Sequence, residues 1–243
     1  MDDGKDRGTV VQQKSFLCET FYKIVADCEA NLGWIPYSRD HLTAKGAQVL
    51  VKQWGIFTRH SRRCWAYVVG NCPHIEIRRF IVTENLYEEE ALEGHSHFEM
   101  LLDMGRAVGL KRETIESAKP LPSTLVALHA WETLTKNRTW HEGAAAKAIL
   151  EMVNNPYSTF SGDQGRWWMR RLNLSQDDVK FWFLHSTVDR VHGGGLVALM
   201  DEKFLKTQAE REAAISAAEE SMMVWAIFID GMYQEALRQS GGG

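Results

Sequence analysis

Residues 180–204 read KFWFLHSTVDRVHGGGLVALMDEKF, and this stretch decides the fold class. His185, Asp189 and His192 stand at i, i+4 and i+7, so at 100° per residue they fall in one helical stripe. Phe181, Trp182, Leu184 and Val188 surround them, so the stripe lies where a core helix would normally carry Leu or Val. Two imidazoles and a carboxylate facing an apolar interior need partners, because unpaired burial is costly. A cation satisfies all three at once. A hydrogen-bonded cluster or a solvated face is the alternative. Gly193, Gly194 and Gly195 follow, at about 1 kcal/mol each relative to Ala inside a helix. They mark either the helix end or a close approach by another helix or a ligand.

Outward from that segment the chain reads as helix after helix. Ser175-Gln-Asp-Asp opens this one, with acids on the positive end of the dipole. Thr207–Leu237 closes the chain. Upstream, Val11–Asn31 and His41–Val69 carry apolar residues at helical intervals, with Thr43 or Asp40 as a cap for the second. Pro73 opens a third helix running to about Glu93. Ser96–Val108 is helical and stops at Gly109. Another helix runs from about Ser123, itself a plausible cap, to Thr135. Between Asn137 and Leu174 the pattern is mixed: one helix near Glu142–Val153, then the breakers Asn154-Asn-Pro-Tyr-Ser and Ser161-Gly-Asp-Gln-Gly. No period-two run is long enough for a strand. The expectation is an all-α domain over residues 11–238, with a flexible N-terminus over 1–10 and a flexible tail over 239–243.

Composition narrows the function classes. The 243 residues fit one domain, and 44% hydrophobic with 25% charged residues is ordinary for a globular chain. A formal net charge of −4 gives no overall basic field for nucleic acid. The longest apolar stretch, near Met222–Ile229, is far short of the ~20 residues of a membrane span. The N-terminus MDDGKDRGTV is polar and resembles no signal peptide, which leads to a cytoplasmic expectation. Cys18, Cys28, Cys64 and Cys72 form no CxxC pair and read as reduced core thiols.

Two further signals carry chemistry. Glu84-Asn-Leu-Tyr-Glu-Glu-Glu90 precedes His95 and His97. Three consecutive carboxylates spread over about 200° of a helix, so one can point inward while the others face water. One of the two imidazoles, just beyond Gly94, could reach back to it. In Ala127-Leu-His-Ala-Trp-Glu132, a glutamate sits in a strongly apolar helix, as a helix-edge residue or as a ligand. Together these give carboxylates and imidazoles without thiolate, which suits non-haem iron or manganese better than structural zinc. Helical bundles commonly hold two such ions.

The order of four motifs resembles the haem-oxygenase-like diiron oxidases. They are Asn85-Leu-Tyr-Glu-Glu, His97-Phe-Glu-Met with Val108-Gly109-Leu110, Leu128-His-Ala-Trp-Glu132, and His185-x3-Asp189-x2-His192. The superfamily includes the chlamydial death-domain-associating protein that makes para-aminobenzoate, alkene-forming fatty-acid decarboxylases and N-oxygenases. The match spans roughly Val11 to Leu237. The resemblance implies an all-α haem-oxygenase-like helical bundle. It also implies two Fe(II) ions per chain, held by Glu89, His97, Glu132, His185, Asp189 and His192, with O2 as co-substrate. The Glu89–His97 spacing is one residue longer than the commonest family form, which keeps Glu90 and His95 as alternates. Glu132 takes the place of the last residue of the family's Tyr-Ala-Tyr-Glu, with His129 and Trp131 replacing the tyrosines. Measured from Glu132, the stretch to His185 is about twenty residues longer than in compact members. Residues 133–172 are therefore expected to be an insertion beside the active site, shaping the pocket or forming a lid.

The substrate is less legible. Arg59, His60, Arg62 and Arg63 lie together on the second helix, which lines the pocket in related folds. Arginines there could clamp a carboxylate. Arg59, His60, Arg63 and Trp131 are thus the candidate substrate-binding residues. The implied substrate is a small amino-acid-derived acid of specialised metabolism, undergoing N-oxygenation or oxidative C–C cleavage and decarboxylation. Thiohydroxamate formation from a cysteine derivative, as in the fluopsin pathway, is one specific form. The expected partners are a small molecule and an external reductant, with neither nucleic acid nor membrane. A homodimer is compatible, since dimers are common in this fold. Three rivals remain: a metal-free thiaminase-type hydrolase with Cys64 as its thiol, a cofactorless oxidase of quinone-cofactor biosynthesis, and a helical interaction protein with a structural polar cluster.

Overall fold

In the computed structural model, residues 15–33, 35, 40–90, 94–154 and 160–241 are described, except for the side chains of 187–192. Among these residues every regular element is helical. The elements are α1 (Phe16–Asn31), α2 (Ala44–Asn71), α3 (Ile75–Phe80), a π-helical turn (Ile81–Leu86) and α4 (Tyr87–Glu90). Then come α5 (His97–Ala107), α6 (Arg112–Glu116), α7 (Pro122–Lys136), α8 (Trp140–Glu151) and α9 (Phe160–Leu172). A 3-10 turn (Asp177–Val179) leads into α10 (Lys180–Leu199), a second π turn (Met200–Phe204) and α11 (Gln208–Gln239). No helix of the described residues is long and apolar enough to cross a membrane.

The helix starts follow the local chemistry. Ser96 with Glu99, Thr139 with Glu142, and Thr207 with Glu210 form reciprocal capping boxes. Ser15 caps α1 through its hydroxyl, so that helix begins at Phe16; residues 11–14 lie outside the described residues. Thr43 caps α2 by position only, because its side chain makes no cap bond. Ser123 is not a cap: Pro122 holds the first turn of α7 and Leu121 precedes it. At the C-terminus Ser240 ties back to the head of α2, its hydroxyl accepting from the Thr43 amide at 3.0 Å. The part of the expected tail that is described is therefore anchored.

The core is built on α2 and α11. Trp54 of α2 meets Phe57, Trp182, Trp225 and Phe228 edge-on, with ring centroids 5.4–5.6 Å apart. Such aromatic pairs add to the area they bury. The alanine-rich α8 fits against α11, and its residues Ala144–Ala146, Ala148 and Ile149 are fully buried. Within residues 133–172, α8 is core and α9 packs on α10.

Two glycine runs were ambiguous in sequence, and packing explains both. Ser161-Gly-Asp-Gln-Gly was expected to break a helix, yet it lies inside α9. A Cβ on Gly165 would stand 3.0 Å from the Phe183 ring and 3.2 Å from Trp182 Cβ, so its absence lets α9 lie close on α10. The glycines 193–195 do not end α10 either. A Cβ on Gly193 would stand 2.7 Å from the Ala148 carbonyl oxygen, and one on Gly195 would stand 3.0 Å from the Phe80 ring. The run is a close approach of α10 to α8 and α3.

Candidate active site

The site grows from the junction of α4 and α5. Glu89 is 9% exposed and His97 8%, and their side chains face each other, with Oε2 3.4 Å from Nδ1. Glu88 Oε2 lies 3.8 Å from Nε2 of the same ring. That Nε2 is buried and makes no hydrogen bond among the described residues. The alternates separate cleanly. Glu90 turns outward to Arg62 at 3.4 Å, and the exposed His95 sits 3.5 Å from Asp103 beside Lys180. One carboxylate of the 88–90 run is thus fully inward.

His185 completes this face from α10. Its ring lies 4.4 Å from that of His97, centroid to centroid. Its Nδ1 sits 2.7 Å from the Phe181 carbonyl oxygen. A carbonyl only accepts, so Nδ1 carries a proton there, and in a neutral ring Nε2 would be the acceptor nitrogen. A backbone bond to the far ring nitrogen is the kind that orients metal-binding histidines. Glu89, His97 and His185 line one cavity of about 60 Å³ together with Lys147 and Glu151 of α8. Trp54, Phe57, Phe160, Phe181, Trp182 and Trp225 form its walls.

Electrostatics ties these groups together. Burial pushes the Glu89 carboxyl up, but His97, Lys147 and Ser61 outweigh it and hold it below the ordinary carboxylate range. Burial pushes His97 down, and the carboxylates of Glu89, Glu88 and Glu151 reverse this, leaving the imidazole raised. These opposed shifts favour an imidazolium beside a carboxylate, whose proton a bound metal would displace.

Glu132 is elsewhere. Its carboxylate accepts from the Tyr67 hydroxyl at 3.3 Å and lies 3.5 Å from His60 Nε2, 3.9 Å from Arg63 and 3.8 Å from Lys136. It does not line the cavity. The same holds for the expected substrate clamp. Arg59 donates to the Gly55 and Glu116 carbonyls and lies over the Phe98 ring; Arg63 faces Glu132. His60 is held between Glu132 and the Cys64 thiol, 3.5 Å from each. Trp131 donates to the Ser221 hydroxyl and packs on Phe57. None of these four lines the cavity, and neither does Cys64. Cys64 is buried, and that burial raises its thiol pKa. The side chains of Asp189 and His192 lie outside the described residues.

Sequence reasoning did not single out Glu151 and Lys147, which line the cavity. Glu151 is nineteen residues nearer to His185 than Glu132 is, which removes most of the apparent excess length between the third and fourth motifs. The available signal was Lys147 and Glu151 at i, i+4, the polar positions after Gly143 in the apolar run GAAAKAILE. Among the described residues, no three His, Cys, Asp or Glu side chains are close enough to form a finished metal cage. The donor types nevertheless fit iron: hard carboxylates and borderline imidazoles, one imidazole nitrogen without a hydrogen bond, and no thiolate on the cavity.

Comparison with known proteins gives a consistent picture. Residues 48–226 match the model of a haem-oxygenase-like family described as iron-containing redox enzymes. The pyrroloquinoline-quinone synthase of Cronobacter sakazakii is 27% identical over 128 residues, 47% of this chain and 51% of that protein. The pyrroloquinoline-quinone synthase of Acinetobacter baylyi is 37% identical over 88 residues, 36% of this chain and 34% of that protein. The matches therefore span about half of the first relative and about a third of the second. Among solved structures, a Shewanella denitrificans domain of unknown function with a haem-oxygenase-like fold superposes with TM-score 0.75 at 20% identity, covering 93% of this chain and 94% of that one. A TenA homologue from Pseudomonas syringae pv. tomato superposes with TM-score 0.68 at 11% identity, covering 93% and 97%. At such identities the superpositions establish the haem-oxygenase-like fold alone.

Proposed function

Because the chain belongs to the haem-oxygenase-like family of iron-containing redox enzymes, we propose that it is an O2-dependent non-haem diiron oxygenase. Its substrate is a small amino-acid-derived acid, which undergoes N-oxygenation or oxidative C–C cleavage with decarboxylation. The observation that carries this reading is the meeting of Glu89, His97, Glu151 and His185 on one buried, aromatic-walled cavity. Glu151 takes the ligand role expected of Glu132. Asp189 and His192 belong to the same proposed set through their helical spacing from His185.

Two Fe(II) ions in this set would supply the electrons that activate dioxygen, chemistry that no side chain here can provide. The chain's own residues do the rest. Phe181 fixes the His185 ring through its carbonyl and presents Nε2 as the donor. Glu89 and His97 would hold metal in place of the proton that favours their pairing. The walls formed by Trp54, Trp182 and Trp225 keep bulk water from the reacting atoms.

The test is iron stoichiometry. The full chain is loaded anaerobically with Fe(II), desalted and assayed by chelator absorbance. The wild type should hold close to two ions per chain. Glu89→Gln and Glu151→Gln should each lose at least one, while Glu132→Gln should hold the wild-type amount. Iron lost from Glu132→Gln but retained by Glu151→Gln would refute the ligand assignment. A second reading draws on the pyrroloquinoline-quinone synthase relatives: a cofactorless oxidase of quinone-cofactor biosynthesis. It predicts no more than a trace of iron in the wild type and O2 consumption without metal.

A further inference from the structure

Lys147 is 2% exposed and lines the cavity beside Glu89. Lysines are almost never buried this fully without a partner. Among the described residues no carboxylate lies within ion-pair distance of its Nζ. Its one hydrogen bond there is to the Ser61 hydroxyl oxygen, at 2.8 Å. The other neighbours of Nζ are ring faces, Phe57 at 5.6 Å and Trp65 at 5.2 Å from the centroids. An ammonium carries three donors, and Ser61 takes one. Two cavity residues add to this surplus: the indole N–H groups of Trp54 and Trp182 are buried and have no acceptor among the described residues. These three cavity-lining residues thus bring N–H donors that lack acceptors among the described residues.

We infer that Lys147, supported by Ser61, is the docking group for the substrate's carboxylate. A carboxylate brings two acceptor oxygens and one negative charge to a group with two unused N–H donors, so charge and hydrogen bonding are satisfied together. Lys147 also offsets the charge of Glu89, which lessens the repulsion an incoming anion would meet in this cavity. The cavity, about 60 Å³, would receive the carboxylate end of the acid. This assignment replaces the Arg59 and Arg63 clamp expected from sequence. It rests on the oxygenase reading only for what happens to the acid once docked.

The test uses the full chain, both metal-free and anaerobically loaded with Fe(II). The probes are acetate and propionate against their neutral isosteres acetamide and propionamide. Binding is followed by ligand-observed NMR and by the fluorescence of the cavity tryptophans. The wild type should prefer each acid over its amide by about tenfold or more. Lys147→Met should abolish that preference, Lys147→Arg should retain part of it, and Arg59→Met and Arg63→Met should leave it unchanged. Ser61→Ala should weaken it several-fold, and this variant keeps the test available if Lys147→Met does not fold. Equal binding of acid and amide, no binding of either acid at tens of millimolar, or a preference that survives Lys147→Met would overturn the inference. Iron content is read separately. A chain without iron but with the acid preference ends the oxygenase reading alone, and a chain with iron but no preference ends this one alone.

Discussion

Substituting Gly193 by Ala tests the contact on which the site is built. The added Cβ would lie 2.7 Å from the Ala148 carbonyl oxygen, 2.8 Å from Met152 Cγ and 3.0 Å from Glu151 Cβ. Carbon–carbon contacts settle near ~3.5–4.0 Å, so α10 and α8 must separate by several tenths of an ångström. The carbonyl belongs to a buried helix and cannot rotate aside. That places the overpacking cost in the upper half of the ~1–3 kcal/mol seen for one extra methyl in a tight core. Against it stands the gain of about 1 kcal/mol from replacing Gly by Ala within a helix. The expected net loss is ~1–2 kcal/mol, or a fall in Tm of roughly 2–8 °C for a chain of this length. Urea melts at constant m-value measure it. Gly194→Ala is the control, since its Cβ meets only the Tyr22 hydroxyl at 3.3 Å, the far end of a long side chain. The separation also draws Glu151 away from His185, so Gly193→Ala should bind Fe(II) more weakly. A variant as stable as wild type, or more stable through helix propensity, would refute the close approach of α8 and α10.

Gly70 makes the opposite case: nothing lies within 4 Å of its Cβ position in the last turn of α2. Gly70→Ala should raise stability by ~0.5–1 kcal/mol in the same urea assay, and a loss would mean an unrecognised neighbour there. Cys28 gives a pH prediction. Burial first, and Glu29 second, push its thiol up to about 11 from 9.0. Its unfolded form ionises at lower pH than its folded form, so its stabilising contribution is complete below about 9 and is lost as pH rises toward 11. Iodoacetamide should therefore label native Cys28 slowly at pH 8.5 and quickly once urea unfolds the chain; equal rates would contradict the burial.

The helical bundle was legible because its signals are local. The capping boxes at Ser96 and Thr207 and the apolar spacing around Trp54 need no tertiary knowledge. That one acid of the 88–90 run and one nearby imidazole would turn inward was legible for a similar reason, since a helix can bury only one of three adjacent acids; the choice of Glu89 and His97 came from the resemblance. Glu151, the proposed third carboxylate, was not. Glu132 lies in an apolar helix but faces His60, Arg63 and Tyr67, partners that only the packing of α2 against α7 brings to it. Glu151 ends an alanine-rich helix whose deep burial comes from α11, beyond the reach of periodicity. Lys147 shares that problem, because a lysine among alanines reads as a side chain reaching solvent. The glycines of α9 and α10 were judged by local propensity, whereas their role is set by Phe183, Ala148 and Phe80 across the helix contacts.

The π turn over 81–86 bears on how this site tolerates change in chain length. A π turn holds one residue more than the α-helical turn it replaces, without altering the course of the helix beyond it. A chain one residue shorter within that turn would close into ordinary α-helix and still deliver Glu89 to His97. A slip of one residue downstream would bring Glu88 or Glu90 to the same place, since the three glutamates are consecutive. The segment that supplies the innermost acid thus carries two independent forms of slack, so insertions and deletions are better absorbed there than at the glycine-tight crossing of α8 and α10.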